Sequence, residues 1–136
     1  MRIKKFAIFE NFTTDEADEI KSLFYDIIDL QHDSFQVRGD SRILDRRYQK
    51  VIRTDSEITK SGNFIFRVYC DFMWRYSIEN QINEEITPRI KSLGYKVTIK
   101  NEKTSEYIQK EIPVSGSNRT AIASDPVYRI SILVKK

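Results

Sequence analysis

The spacing of apolar residues changes along this chain from a helical period to a period of two, and this change constrains the fold most. Apolar residues between Ala17 and Leu30 recur every three to four positions, which predicts an amphipathic helix. Apolar and polar residues alternate over Tyr95–Lys100 and over Val127–Val134, which predicts strands. The sequence therefore predicts an α+β fold, a two-layer sandwich with two main helices packed on a mostly antiparallel sheet.

The same order of elements occurs twice, which suggests two α-β-β units. Ile20 lies in a helical pattern that leads to Phe35–Val37, and Ile78 lies in one that leads to Tyr95–Val97. Further strand-like sequence follows each copy. Further strands are predicted at Tyr48–Arg53, at 64–72 and at 106–114, the last of them paired with the strand at 95–100. Residues 3–9 are predicted to form a short strand or an ordered arm.

Several residues mark where helices begin and end. Thr13 and Glu16 have the spacing of a capping box, which predicts a helix start. Pro88 is expected to kink or restart the second helix, and Gly94 to end it. The alternation of apolar residues over 64–78 fits a strand, but charges spaced four apart fit a helix; the aromatic and β-branched content favours a strand over 64–72.

Length and composition predict one domain covering residues 1–136. The chain has 136 residues, 40% of them hydrophobic, which suffices for one core. With only four glycines and three prolines it has no linker-like segment. The apolar run Phe6–Phe9 is too short for a signal peptide or a membrane span, and the single cysteine suits a reducing compartment. We predict a cytoplasmic protein with no membrane partner.

No catalytic or metal-binding constellation is evident. His32 and Cys70 are the only residues of their kinds; His32 is predicted to interact with the carbonyls at a helix end, and Cys70 to be a core thiol. Ser115–Thr120 is a polar loop for which anion binding is an alternative to a simple connection. We predict no catalytic residue, no metal and no cofactor, hence no enzyme; a hydrolase or nuclease using His32 and acidic residues is the alternative.

Charge is distributed unevenly over the first third of the chain. Residues 10–33 contain eight acidic residues and one lysine, whereas residues 38–53 contain six basic residues and two aspartates. The two segments could neutralise each other, or the basic one could bind nucleic acid, because its cations and its tyrosine are of the types that contact phosphates and bases. The candidate nucleic-acid-binding residues are Arg42, Arg46, Arg47, Tyr48, Lys50 and Arg53.

Aromatic residues offer a second route to function. Seven tyrosines, eight phenylalanines and one tryptophan are more than a domain of this size need bury completely. Any that remain exposed together would mark a protein interface, through which the chain would bind other proteins, a second copy or a particle. The interface candidates are Tyr69, Trp74, Tyr76, Tyr95, Tyr107 and Tyr128.

Three stretches carry a resemblance to known proteins. The opening Met1–Phe6, the acidic helix sequence Asp18–Phe24 and the stretch Leu93–Val97 resemble small uncharacterised proteins of AT-rich bacteriophages, across an Ile-, Lys- and Asn-rich chain. The resemblance implies a virion component or a host-interaction protein, located in the virion or in the host cytoplasm. Together with the aromatic content it leads to the hypothesis of a non-enzymatic interaction or structural module in phage assembly. A nucleic-acid-binding accessory protein using residues 38–53 is the alternative.

Overall fold

The part of the chain that the structure describes comprises residues 11–36, 50–114, 116 and 119–136 of a computed structural model. Of residues 31–36, 109–113, 120 and 122 only the backbone is described. The predicted strand or arm at 3–9 and the basic segment up to residue 49 lie outside the described residues.

The elements of this part follow the predicted α-β-β order twice. The four strands form one antiparallel sheet in the order β1-β2-β4-β3, so each unit contributes a hairpin and β2 pairs with β4. This confirms the predicted α+β fold. The elements are α1 (Thr14–Ser22), α2 (Tyr25–Gln36), β1 (Val51–Ile58), β2 (Phe64–Asp71), α3 (Arg75–Gln81), a π-helical turn (Ile82–Ile86), α4 (Thr87–Ser92), β3 (Lys96–Pro113) and β4 (Thr120–Lys135).

The core lies between the described helices and one face of the sheet. The alternate residues of β2 and β4 that face the helices are fully or almost fully buried, as strand alternation requires. Phe24 of the helical layer stacks on Phe66 of β2 with ring centroids 4.2 Å apart. Burying each such side chain contributes about 1.5–3 kcal/mol. The sheet residues buried in this core are Val51, Phe64, Phe66, Val68, Cys70, Ile130, Ile132 and Val134.

The first helical region differs from its prediction at both its middle and its end. A turn at Leu23 and Phe24 divides it into α1 and α2, and α2 continues through Gln36. The prediction of a strand beginning at Phe35 is therefore wrong, because Phe35 and Gln36 belong to α2. His32 lies inside this helix and not at its end. The physical reason is that no glycine or proline interrupts α2, and Phe35 follows Ile28 by seven residues, which continues the helical spacing.

The second helical region agrees with its prediction. Ile78, Ile82, Ile86 and Ile90 occur once per turn, and all four are buried. Pro88 lies in the first turn of α4, directly after the π-helical turn, because its ring nitrogen cannot donate the hydrogen bond that would continue the helix. Gly94 follows α4 with a φ of 93°, the left-handed conformation that ends helices.

The last two strands are longer than predicted. Residues 106–114 were expected to pair with 95–100, but most of them continue β3, which ends at Pro113, and they pair instead with the first half of β4. The predicted loop from Ser115 to Asp125 is correspondingly short, because β4 begins at Thr120. A bulge between Lys103 and Tyr107 explains the difference: it accommodates the polar run without ending the strand.

The start of α1 is attached to the sheet through Glu16. Thr13 and Glu16 form the predicted capping box, and Glu16 also accepts a hydrogen bond from the Lys136 ammonium group at 2.7 Å. The bond from Lys136, followed by that from the Thr13 backbone N–H, lowers the pKa of the Glu16 carboxyl. A carboxyl whose pKa is lower in the folded state stabilises the fold above its unfolded pKa, and this contribution is lost as pH falls through the folded value.

We expect Glu16→Gln to unfold at lower urea concentration than the parent at about pH 7, because the amide lacks the charge that pairs with Lys136. The difference should shrink as the pH falls through the lowered pKa of Glu16, because the parent's carboxyl then becomes protonated. Glu19→Gln makes the same change at an exposed position of α1 and is the control. An equal pH dependence of the two variants would contradict the assignment.

Candidate functional site

One end of the sheet brings together cations and aromatic rings from the residue before β1, from β3 and β4, and from the turn and helix α3 that follow β2. Val51, Cys70, Tyr128 and Lys103 form one row across β1, β2, β4 and β3. Three strand spacings of about 4.8 Å make this row about 14 Å wide. Lys50 precedes Val51, and its carbonyl accepts a hydrogen bond from the Asp71 N–H at 3.4 Å. The row therefore holds basic residues at both of its edges.

The turn after β2 adds two further side chains to this end. The backbone N–H of Trp74 donates to the Asp71 carbonyl at 2.9 Å, which closes the turn before α3. Arg75 donates from Nη1 to the Phe72 carbonyl at 2.5 Å, and this bond holds its guanidinium against the turn. A backbone carbonyl thus orients Arg75.

The cations at this end contact aromatic rings. The Arg75 guanidinium lies 4.4 Å from the ring centroid of Tyr76 and 4.6 Å from that of Tyr128. Lys50 lies 4.7 Å from Trp74, and Lys103 lies 5.6 Å from Tyr107. Such contacts attract a cation to the negative face of the ring. We name this surface the cation–aromatic end; it consists of Lys50, Trp74, Arg75, Tyr76, Lys103, Tyr107 and Tyr128.

The opposite face of the sheet is covered by no described helix, and its arginines pair with carboxylates. Arg53 forms two hydrogen bonds to Glu106, Arg67 pairs with Asp55 and Glu57, and Arg129 pairs with Glu102 at 2.6 Å. The carboxylate of Glu106 raises the pKa of Arg53, and Arg53 in turn lowers the pKa of Glu106. Arginines on this helix-free face are therefore neutralised within the fold.

Among the described residues, no carboxylate forms an ion pair with a cation of the cation–aromatic end. The ion pairs between described residues include none from Lys50, Arg75 or Lys103. A ring quadrupole orients a cation without neutralising its charge. Within the described part of the chain, these three charges consequently stay available to an anionic ligand.

The predicted basic set is divided by the fold. Lys50 belongs to the cation–aromatic end, whereas Arg53 lies on the helix-free face, paired with Glu106 and 3.9 Å from the Tyr69 ring centroid. The other members of the set, Arg42, Arg46, Arg47 and Tyr48, lie outside the described residues. Whether the basic segment pairs with the acidic helix stays a prediction for the same reason.

Four of the six aromatic interface candidates meet at the cation–aromatic end. Tyr76 and Tyr107 are exposed there by 61% and 57%, while Trp74 and Tyr128 are partly buried. Tyr69 is buried on the other face of the sheet. Tyr95 lies at the opposite end of the sheet, where its ring centroid is 5.0 Å from that of Phe12.

The sequence analysis did not identify Arg75 and Lys103, which supply two of the three positive charges of the cation–aromatic end. Both fall outside the basic segment, so a search for clustered charges passed over them. A usable signal existed for Arg75, which stands between two interface candidates, Trp74 and Tyr76. Lys103 carried none, because its proximity to Tyr128 depends on the pairing of β3 with β4.

The helix-free face contains a shallow groove of about 580 Å³. Ile65 and Leu133 form an apolar pair at one end of the groove; both are half-buried and lie opposite each other in the β2–β4 pairing. The rest of the lining includes the ion-paired Arg67 and Arg129, together with Glu102, the partner of Arg129. The groove is lined by Ile65, Arg67, Thr98, Ile99, Lys100, Glu102, Arg129, Ser131 and Leu133.

The residues considered for chemistry contribute little to this surface. Cys70 is fully buried, and burial raises the pKa of its thiol to about 12, as expected of a core cysteine. The His32 side chain lies outside the description. Among described residues no three histidine, cysteine or acidic side chains could hold a metal ion together. None of the described helices has the length and hydrophobicity required to cross a membrane.

Comparison of the chain with protein-family models, curated proteins and solved structures finds no match. The two surfaces of the sheet differ in how they hold their cations. At the cation–aromatic end Arg75 and Lys103 lie against exposed rings, whereas on the helix-free face arginines pair with carboxylates beside the groove.

We expect the thiol of Cys70 to react with a disulfide reagent only after unfolding, because the buried group stays protonated at about pH 8. Labelling measured across a urea series should follow the unfolding transition. Cys70→Ala supplies the zero-signal control. Complete labelling of the folded protein within the mixing time would show that the thiol is accessible and reactive.

Proposed function

We propose that this chain is a non-enzymatic nucleic-acid-binding accessory protein and that its binding surface is the cation–aromatic end. The observation that carries the proposal is that Lys50, Arg75 and Lys103 contact rings, while the arginines of the helix-free face are paired with carboxylates. Cations next to accessible rings are the combination with which proteins bind phosphates and bases.

The arrangement of the charges suits a phosphate backbone. Lys50 and Lys103 lie at the two edges of a row about 14 Å wide, with Arg75 and Tyr128 between them. A nucleic-acid strand crossing this end would meet positive charge at several successive points. Each phosphate contact releases condensed counterions, so binding should weaken as salt concentration rises.

We expect Lys50→Glu/Lys103→Glu to reduce affinity for labelled oligonucleotides at least tenfold in fluorescence anisotropy. The slope of log affinity against log salt should fall by about 1.4, because each phosphate contact on a single strand contributes about 0.7. Both side chains are at least partly exposed, so the fold should be retained.

The matched control is Lys60→Glu/Lys135→Glu, which makes the same change in net charge at exposed positions near the other end of the sheet. This control should keep most of the affinity and the full salt slope. Equal losses in the two double variants would show that only net charge matters and would contradict a binding surface at the cation–aromatic end.

The second candidate function is a protein-interaction or structural module, with phage assembly as the setting that the sequence resemblance implies. It is favoured by the helix-free face, where the apolar pair Ile65 and Leu133 adjoins ion-paired arginines. Protein interfaces combine apolar side chains with polar, hydrogen-bonding ones in this way. The occupant that we propose for this face is a second copy of the chain.

Charge complementarity supports this occupant. Asp55 and Glu57 lie on β1 at one edge of the face, and Lys100 lies on β3 at the other edge. A two-fold axis parallel to the strands would place β1 of each copy over β3 of the other, so acidic and basic side chains would meet across the interface.

For this candidate we expect the parent to sediment as a dimer at micromolar concentration and Leu133→Asp to sediment as a monomer, because the interface would bury the introduced charge. Leu93→Asp introduces the same charge at an exposed position after α4 and should stay dimeric. A parent protein that is monomeric throughout would eliminate self-association through this face.

A further inference from the structure

We infer that the cation–aromatic end recognises unpaired bases, so that single-stranded DNA or RNA is bound in preference to a duplex. This inference rests on the proposed function and adds the form of nucleic acid to it. It is carried by two rings, Tyr76 and Tyr107, which are more than half exposed although they adjoin the body of the fold.

Each of these rings already has a cation beside it. Arg75 lies 4.4 Å from the ring centroid of Tyr76, and Lys103 lies 5.6 Å from that of Tyr107. The cation limits the orientations open to the ring, and the exposed fraction leaves ring surface for a base. A phosphate that pairs with the cation would place its own base close to the neighbouring ring.

Stacking on a ring requires a base whose face is free. In a duplex, each base face is covered by the next base pair, so a protein ring can stack only on a strand end or after unstacking the helix. In a single strand every base offers a face, and stacking tolerates any sequence for that reason. Two exposed tyrosines beside cations that no described carboxylate neutralises therefore favour single strands.

The other two rings of this surface have a supporting role. Trp74 and Tyr128 are partly buried and pack against the core. Tyr128 lies 4.6 Å from the Arg75 guanidinium and Trp74 lies 4.7 Å from Lys50, so they hold cations in place from the inner side. Substitutions at these two positions would disturb packing, and the test below avoids them.

The experiment measures anisotropy with three labelled ligands of equal phosphate number: a single strand, its duplex, and a strand of abasic sites. We expect the parent to bind the single strand at least tenfold more tightly than either of the other two. Tyr76→Leu/Tyr107→Leu keeps apolar side chains but removes both rings, and should lower single-strand affinity about tenfold per ring. Its salt slope should equal that of the parent, because the cations are unchanged.

Tyr25→Leu is the matched control, since Tyr25 is 58% exposed on α2 and belongs to neither surface. It should bind all three ligands as the parent does. Equal binding of the single strand, the duplex and the abasic strand would overturn base recognition and leave phosphate binding intact. Absence of binding to all three would overturn the proposed function itself.

A poly-glutamate peptide of equal charge serves as competitor in the same assay. We expect it to displace the single strand only at much higher concentration, because it supplies anions without bases. Displacement at equal concentration would overturn the inference in favour of an acidic protein segment as the ligand of this surface.

Discussion

The packing of the helices on one face of β2 and β4 is the contact on which the other features of the structure depend. Alternate side chains of these two central strands are buried under α1 to α4, with Phe24 stacked on Phe66 near the centre. Because that face is used completely for the core, polar and charged side chains of the strands must lie on the opposite face or at the ends of the sheet. Both candidate surfaces follow from this division.

The two surfaces differ in what neutralises their cations. On the helix-free face, arginines and carboxylates from neighbouring strands stand close enough to pair, as Arg67 does with Asp55 and Arg129 with Glu102. At the cation–aromatic end the chain leaves the sheet for α3, so Arg75 meets a backbone carbonyl and two tyrosine rings. An arginine of the helix-free face thus stabilises the fold through an ion pair, whereas Arg75 keeps a charge that an anionic ligand can contact. This difference is why the two surfaces suit different ligands.

Much of the fold could be predicted from the sequence, and less of the candidate site. The capping box at Thr13, the restart at Pro88 and the end at Gly94 were predicted correctly, because each depends on residues within one helical turn. The strand predicted at Phe35 was wrong, since its alternation extends over too few residues to be told from helical spacing. The continuous β3 was missed because a polar run normally ends a strand, and only a bulge let it continue.

The sequence by itself determined the apolar faces of the helices and strands, and with them the α+β class, because periodicity and caps are local properties. It also supplied four of the aromatic residues that meet at the cation–aromatic end. Only the tertiary structure decided which charges are neutralised: Arg53 and Glu106 are 53 positions apart in the chain and meet through the fold. The three cations of the cation–aromatic end come from distant parts of the chain: Lys50 precedes β1, Arg75 begins α3 and Lys103 lies on β3. The register of the strands brings them to the same end of the sheet. Charge pairing is a property of distances in space, and neither composition nor spacing along the chain contains those distances.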